Sequence, residues 1–503
     1  MEIGVQKLTI EDLPEEALLE IFKLLDLKSL KQATLTSKTW RLIIDGSIPW
    51  TFKVPNEICD NVLETSRKFR KSNLQSAELK NYEVLSKSTV VKKPLQNYQQ
   101  RLLDVLKLLP NVKTITLGEM SIHNPVEEDF QLLDLPMLKT LEMDKSDSIL
   151  LSIFKKAKLK TFNIFGSFSS DQYDHDKIVE FFETQKDLTE LSLNFVTNFT
   201  TLFETPIFAA KVPFQLKKLT LTCFKLGSYE HLLDFLKLHA NSLESLKLGY
   251  NFPAEIYEFV FAKLKKLKTL CLITNKIPNG TDFFSRLEVN VSVTTLALVG
   301  NYGFCSYDIS TEIISHLPSI ENLTLLEDNA YRTLTTASEH LKTLKHLTIQ
   351  EFDASFWQTT TLTTLESLRF VGAKLEQGGD IAFVSKNLNL RSLSFDGNVG
   401  NEFFDAIRKN FSKLEVLEVK KTKVRLEDII VDIRGLRMRD DDFFKHPKTS
   451  GELFTKTDLQ CIDEVDSDSD DYDYDPFDCD NFYSSDYSYN LSQDSDAWRR
   501  WAD

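Results

Sequence analysis

Residues 243–248 read LESLKL, and this short apolar phrase decides the fold because close copies of it recur along most of the chain. Residues 267–272 read LKTLCL, residues 365–370 read LESLRF and residues 414–419 read LEVLEV. Thirteen copies align, and their first apolar residues are Val112, Leu138, Leu159, Leu188, Leu216, Leu243, Leu267, Val293, Ile320, Leu344, Leu365, Leu390 and Leu414. Successive copies are on average about 25 residues apart, which is typical of an array of repeated units. Each unit therefore buries its apolar side against its neighbours.

The spacing and the L-x-x-L-x-L pattern resemble the leucine-rich repeat. The resemblance implies an α/β solenoid, a horseshoe in which each repeat contributes one strand and one return segment, and we predict it over residues 111–435. Alternate side chains of a strand point to opposite faces. The two later hydrophobic residues of each phrase should therefore point into the core, and the residues between and after them should point outward.

The outward positions of three consecutive repeats are unusually apolar. Three residues of one outward column and two of the adjacent column make up this stripe, which consists of Cys271, Ile273, Ala297, Val299 and Leu326. An exposed apolar stripe of this size is a candidate site for binding a protein substrate or other partner. The alternative is that a loop, a neighbouring turn or the chain's own tail covers the stripe.

A second pattern precedes the repeats. Residues 13–40 read LPEEALLEIFKLLDLKSLKQATLTSKTW. Pro14 suits the start of a helix, and Leu18, Ile21 and Phe22 recur at the spacing of one helical stripe. The segment resembles the F-box, with matching positions that include Leu13, Pro14, Leu18, Ile21, Phe22, Leu25, Leu30 and Trp40. It departs from the family at residues 36 and 37, where Thr and Ser replace the usual hydrophobic residue and Cys.

This resemblance implies a role in SCF-type ubiquitin ligases. The helical module, residues 8–50, would bind a Skp-type adaptor and through it a cullin scaffold, using the eight matching apolar residues. We expect Leu13, Pro14, Ile21, Phe22 and Leu25 to form a partly exposed apolar surface. The repeats would bind the protein to be ubiquitylated. Two alternatives remain: the module is a helical hairpin that only caps the repeats, or the chain is a non-enzymatic scaffold without a ligase role.

The remaining segments differ sharply in composition. Residues 51–110 are predicted to be a linker with irregular first repeats. Residues 436–503 form an acidic tail that we expect to be mostly disordered. Between Asp463 and Asp496 lie thirteen acidic residues and no Lys or Arg, so the tail carries most of the chain's net charge of −15. We expect the tail either to act as a solvated element or to bind a surface through Trp498 and Trp501.

The sequence argues against several other classes of function. No catalytic motif is present among the histidines and cysteines, so we expect a non-catalytic protein with no metal and no cofactor. The body of the chain is close to neutral outside its tail, which gives nucleic-acid binding no support. No apolar run is long enough to cross a membrane. Unpaired cysteine spacing and the absence of a secretory pattern predict a protein of the cytoplasm or nucleus.

Overall fold

The structure is a computed structural model. It describes residues 13–40, 50–54, 74–80, 103–118, 133–165, 175–194, 212–222, 230–300, 307–371, 384–422 and 435–439, with short gaps inside several of these ranges. The predicted tail beyond residue 439, including Trp498 and Trp501, lies outside the described residues, as do Leu25 and Leu30.

Every one of the thirteen phrases forms a strand, which confirms the predicted repeat architecture. Each strand begins two residues after the first apolar residue of its phrase. The strands are β3 (Thr114–Gly118), β4 (Thr140–Asp144), β5 (Thr161–Phe165), β6 (Glu190–Asn194), β7 (Lys218–Thr222), β8 (Ser245–Gly249), β9 (Thr269–Ile273), β10 (Thr295–Val299), β11 (Asn322–Leu326), β12 (His346–Gln350), β13 (Ser367–Val371), β14 (Ser392–Val399) and β15 (Val416–Thr422).

Three further strands lie outside the thirteen phrases. The strand β1 (Trp50–Val54) begins one residue before the segment 51–110 in which irregular first repeats were predicted, and β2 (Leu74–Lys80) lies within it. The strand β16 (Gly435–Arg439) was not predicted, because the repeats were expected to end at residue 435. Its sequence contains a shortened copy of the phrase, with Leu436 and Met438 in register with Leu417 and Val419 of β15.

The chain divides into two compact units, residues 1–220 with 224–243 and residues 221–223 with 244–503. In the first unit the strands β1 to β6 pair in chain order, and in the second unit the strands β8 to β16 do the same. All these pairs are parallel, and equivalent phrase positions lie side by side: Leu141 pairs with Phe162, and Leu296 with Leu323. Each column of the sequence alignment is therefore a physical column on the sheet.

Several of the return segments contain short helices in their described residues. The α-helices are α1 (His175–Thr184), α2 (Glu230–His239), α3 (Ala254–Lys263), α4 (Thr281–Phe284), α5 (Tyr307–Ser315) and α6 (Ala330–Ala337). Two 3₁₀ helices lie at Ser148–Phe154 and Ser338–His340. The helices pack on the inward face of the strands, where phenylalanine fills the space between repeats. The rings of Phe162 and Phe182 lie 5.7 Å apart, and that of Phe182 lies 5.9 Å from Phe214.

Within each unit a backbone ladder joins successive repeats at the start of the strands, from β3 to β7 and from β8 to β15. We call the residue directly after the first apolar residue of a phrase the lead position. The carbonyl at one lead position accepts two hydrogen bonds from the next repeat: Lys113 O accepts from the N–H groups of Lys139 and Thr140 at 2.8 and 2.9 Å. The same pairing recurs in the second unit, where Glu244 O accepts from Lys268 and Thr269. Lead positions are thus stacked at the strand spacing of about 4.8 Å.

Candidate functional site

The N-terminal module has a small core of its own. The N–H of Leu18 donates to Pro14 O at 3.1 Å, which places one helical turn directly after the proline. Leu18 and Phe22 are buried together with Ala33. The ring of Phe22 meets Trp40 edge to face, with centroids 5.5 Å apart. This contact ties the first helical segment of the module to the last.

The apolar surface of this module is smaller than the sequence predicts. Leu13 is 37% exposed, Pro14 is exposed and Ile21 is half-buried. The expectation that Phe22 belongs to the exposed surface is wrong, because its ring is covered by Trp40 and retains only 1% of its accessible area. Leu18 is also a core residue, and Trp40 is half-buried. Of the five residues predicted to form this surface, Leu13, Pro14 and Ile21 are therefore the ones that the structure describes as accessible.

Sequence reasoning missed one exposed residue of this module. Leu35 is 79% exposed, the largest exposed fraction of any bulky apolar side chain in the described part of the chain. It is adjacent to Thr36, whose hydroxyl donates to the carbonyls of Gln32 at 2.9 Å or Ala33 at 3.0 Å. The hydroxyl is thus satisfied within its own helical turn. Leu35 supplies apolar area next to the position where the F-box pattern would have a hydrophobic residue.

The predicted outward stripe of the repeats is buried. Cys271, Ile273, Ala297 and Val299 each retain 3% or less of their accessible area, and only Leu326 is half-buried. The expectation of an exposed stripe is therefore wrong for four of its five residues. Ile273, Val299 and Leu326 form a small apolar cluster of their own on the outward face.

A glycine explains part of this burial. Gly249 precedes Ile273 in the same outward column, and a Cβ built on it would lie 2.7 Å from Thr222 Cγ2 and 3.1 Å from Ile273 Cδ1. The side chain of Ile273 therefore leans into the space that a larger residue would occupy. Val299 is the register partner of Ile273 and packs against it. Outward orientation in a strand does not by itself expose a side chain when its neighbours are this close.

In other repeats, polar side chains occupy the outward column to which Cys271 and Ala297 belong. In the first unit, Glu142 accepts hydrogen bonds from Thr116 at 2.9 Å and from Asn163 Nδ2 at 3.3 Å, and all three side chains are half-buried. In the second unit, Ser394 donates to Glu418 at 3.3 Å, and both are half-buried. These two stretches, unlike the apolar stripe, leave hydrogen-bonding groups within reach of solvent.

A buried carboxylate lies at the end of β11 and was not found from the sequence. Glu327 retains 3% of its accessible area, and its Oε2 accepts from Ser310 Oγ at 2.7 Å and Thr274 Oγ1 at 3.4 Å. Its Oε1 accepts from Thr333 Oγ1 at 2.8 Å. These hydroxyls come from α5, α6 and the residue after β9, so the carboxylate connects three repeats. No spacing in the sequence relates these four residues, since their contacts depend on the return helices.

Buried polar residues also link three of the turns to the preceding repeat. We call Gln185, His239 and Asn387 the bridging residues: they accept hydrogen bonds from the N–H groups of Leu159 at 3.3 Å, Leu216 at 3.3 Å and Leu362 at 2.7 Å. Each bridging residue lies three or four residues before its own phrase, and all three are buried. The signal in the sequence was a polar residue three or four residues before a phrase, a position that belongs to no catalytic motif.

His239 is the bridging residue that can titrate. Its ring stacks on Phe214 at 5.8 Å and meets Phe235 edge to face at 4.5 Å. Burial lowers the pKa of His239 from 6.5 to about 4. Because Nδ1 accepts the N–H of Leu216, the neutral ring carries its proton on Nε2, for which the described residues provide no hydrogen-bond partner.

The described residues hold no group of three or more His, Cys, Asp or Glu side chains placed to bind a metal ion. His231 and His239, the two histidines of α2, are separated along the helix and do not form such a group. None of the helices within the described ranges is long and apolar enough to cross a membrane.

Comparison with known proteins relates the first part of the chain to a domain family. No curated protein shows a significant sequence match to the chain. Among solved structures, the chain is similar to one titled "Crystal structure of mouse RP105/MD-1 complex", with 14% identity and a TM-score of 0.37 over 74% of this chain and 64% of that one. Residues 10–52, which contain the exposed Leu13 and Pro14 and the Phe22–Trp40 contact, match the family model of the F-box domain.

Proposed function

We propose that the chain is the substrate-recognition subunit of an SCF-type ubiquitin ligase. The observation that carries the proposal is the F-box match at residues 10–52 followed by an array of parallel repeats. The F-box domain binds a Skp-type adaptor, and the adaptor connects to a cullin scaffold. The repeats provide a protein-sized surface on which a substrate is held. The role belongs to the cytoplasm or nucleus.

The mechanism of such a subunit is positional. Chemistry takes place on a partner that carries activated ubiquitin, and the chain raises the effective concentration of substrate lysines near that partner. Two features are sufficient for this role: an adaptor-binding surface at one end and a substrate-binding surface on the repeats. The exposed Leu13 and Pro14 provide the first, with Ile21 at its margin. The half-buried polar column around Glu142 and the lead positions beside it provide the second.

The adaptor surface is tested with the double variant Leu13→Ala/Pro14→Ala in the full chain. Interface energy is concentrated in a few apolar anchors, so we expect co-purification of a Skp-type adaptor to be lost. The melting temperature should change little, since both side chains are exposed. Met137→Ala, which truncates a side chain that is 43% exposed on the repeats, is the matched control and should retain adaptor binding.

Two outcomes would count against the proposal. Wild-type capture of the adaptor by the double variant would show that Leu13 and Pro14 do not anchor it. If the unmodified chain captures no Skp-type adaptor, the scaffold alternative replaces the ligase role. In that case the helical module serves only to cap the first repeats.

A further inference from the structure

The lead positions differ in charge between the two units. In the second unit they read Glu244, Lys268, Thr294, Glu321, Lys345, Glu366, Arg391 and Glu415, so acidic and basic residues alternate. Neighbouring side chains of this series form ion pairs: Lys268 lies 2.8 Å from Glu244, Lys345 lies 3.1 Å from Glu321, and Arg391 lies 3.1 Å from Glu415. Alternation of this kind neutralises a column of stacked charges.

The first unit departs from this arrangement. Its lead positions are Lys113, Lys139, Lys160, Thr189 and Lys217. We call the four lysines of this set the lysine row. The backbone ladder stacks them, with Lys160 N donating to Lys139 O at 2.7 Å and Lys217 N donating to Thr189 O at 2.7 Å. Like charges on neighbouring strands repel each other, so this row weakens the fold that displays it.

The lysine row is also uncompensated. Lys113, Lys160 and Lys217 are exposed and Lys139 is half-buried, and none of the four forms an ion pair with any residue in the described part of the chain. The exposed carboxylates of the nearby turns, Asp134 and Asp187, form no ion pair with the row either. By contrast, Lys218 at the adjacent position pairs with Glu190 at 3.1 Å. The lead positions of the first unit therefore keep their positive charge, whereas acidic partners neutralise the lead-position cations of the second unit.

We propose that the lysine row binds an extended, acidic segment of the substrate protein. From Lys113 to Lys217 there are four strand intervals, about 19 Å, which is the length of about six residues of extended chain. Flexible lysine side chains can meet carboxylates at alternate positions of such a segment. Outside its acidic tail the chain is close to neutral, so it offers no broad basic field to a long polyanion such as nucleic acid, which favours a short acidic peptide as the partner. This inference names the substrate class and so rests on the proposed function.

The test measures binding of two labelled twelve-residue peptides to the full chain by fluorescence anisotropy. One peptide alternates Glu and Ser, and the other alternates Gln and Ser. The quadruple variant Lys113→Gln/Lys139→Gln/Lys160→Gln/Lys217→Gln should bind the Glu peptide about tenfold more weakly, which is the combined effect expected of four exposed charge contacts. Binding to the unmodified chain should weaken as salt is raised, and the Gln peptide should not bind.

The second unit provides the matched control. Lys268→Gln/Lys345→Gln/Arg391→Gln also removes cationic lead positions, but these side chains already have acidic partners. This variant should bind the Glu peptide as the unmodified chain does. The melting temperatures of the two variants separate binding from a structural role, since lysines that stabilise the fold would lower the melting temperature when replaced. Removing the lysine row should leave the melting temperature unchanged or raise it, because repulsion is relieved, whereas removing paired charges should not raise it.

Three results would overturn the inference: unchanged affinity in the quadruple variant, equal loss in the control variant, or equally tight binding of a twelve-base-pair DNA duplex through the same four lysines. Adaptor capture is recorded on the same samples. If the unmodified chain does not capture the adaptor, the proposed ligase role is wrong, but the peptide-binding measurement still stands. If the unmodified chain captures the adaptor but does not bind the Glu peptide, only the inference about the lysine row fails.

Discussion

Replacing His239 with Gln should reduce the loss of folding stability that the first unit undergoes as the pH falls. The unfolded chain binds a proton at this residue near pH 6.5, whereas burial lowers the pKa of the folded residue to about 4. Stability that depends on the neutral ring is therefore fully present above pH 6.5 and is lost as the pH falls toward 4. Each unit of pKa difference corresponds to about 1.4 kcal/mol, so the full loss is about 3 kcal/mol.

The choice of Gln follows from the bridging residues. Gln185 accepts the N–H of Leu159 at the equivalent place in an earlier repeat, so Gln at position 239 can replace the imidazole acceptor without a titratable group. The exposed His340 provides the control variant His340→Gln. Urea unfolding of the wild type and both variants between pH 7.5 and 4 measures the effect. At pH 5.5 the wild type should have lost about 1.4 kcal/mol relative to pH 7.5 that His239→Gln retains.

The difference between the wild-type and variant pH curves isolates this residue from the other groups that titrate. His340→Gln should reproduce the wild-type curve. Parallel curves for the wild type and His239→Gln would refute the reasoning, because they would show that the buried ring is protonated as readily in the folded chain as in the unfolded one.

Three further outcomes follow from the buried contacts, each measured as a change in the free energy of unfolding in urea. Glu327→Leu should cost about 2–4 kcal/mol because it leaves the buried hydroxyls of Ser310 and Thr333 without their acceptor, while Glu327→Gln should cost less; equal costs would show that the carboxylate is not the common acceptor. Gly249→Ala should cost about 1–3 kcal/mol through its contact with Thr222, and Thr222→Ser, which removes the nearest methyl group, should recover part of that loss. Val299→Asp should cost about 3 kcal/mol or more because it buries an unpaired charge, whereas Leu326→Lys, at a half-buried position from which the ammonium can reach water, should stay within about 1 kcal/mol.

The strands were predictable from the sequence because the alternating hydrophobic pattern of a strand is complete within each phrase. Leu246 and Leu248, for example, alternate with polar residues in the period of a strand and lie in register with Leu270 and Leu272 of the next repeat. The F-box match was predictable for a similar reason, since its residues are contiguous and helical in their spacing. Both patterns are local, so a single repeat or a single helix is sufficient to show them.

Burial depended on contacts that no local pattern specifies. The helical stripe identified Phe22 as apolar but could not show that Trp40 covers it. Strand alternation placed Ile273 on the outward face, yet its burial depends on the preceding repeat, where Gly249 has no side chain and leaves room for it. His239 and Glu327 were missed because their partners lie in other repeats, at separations that change with the length of each return segment.

The bridging residues give the array a direction. Gln185 belongs to the turn of one repeat but satisfies the N–H of Leu159 in the repeat before it. A repeat emerging from the ribosome therefore remains incomplete until its successor has been synthesised, because its buried N–H lacks an acceptor until then. A chain that stops between two repeats ends in such an orphaned group, at a cost of about 1–3 kcal/mol. Nascent-chain stability should thus rise one repeat behind synthesis.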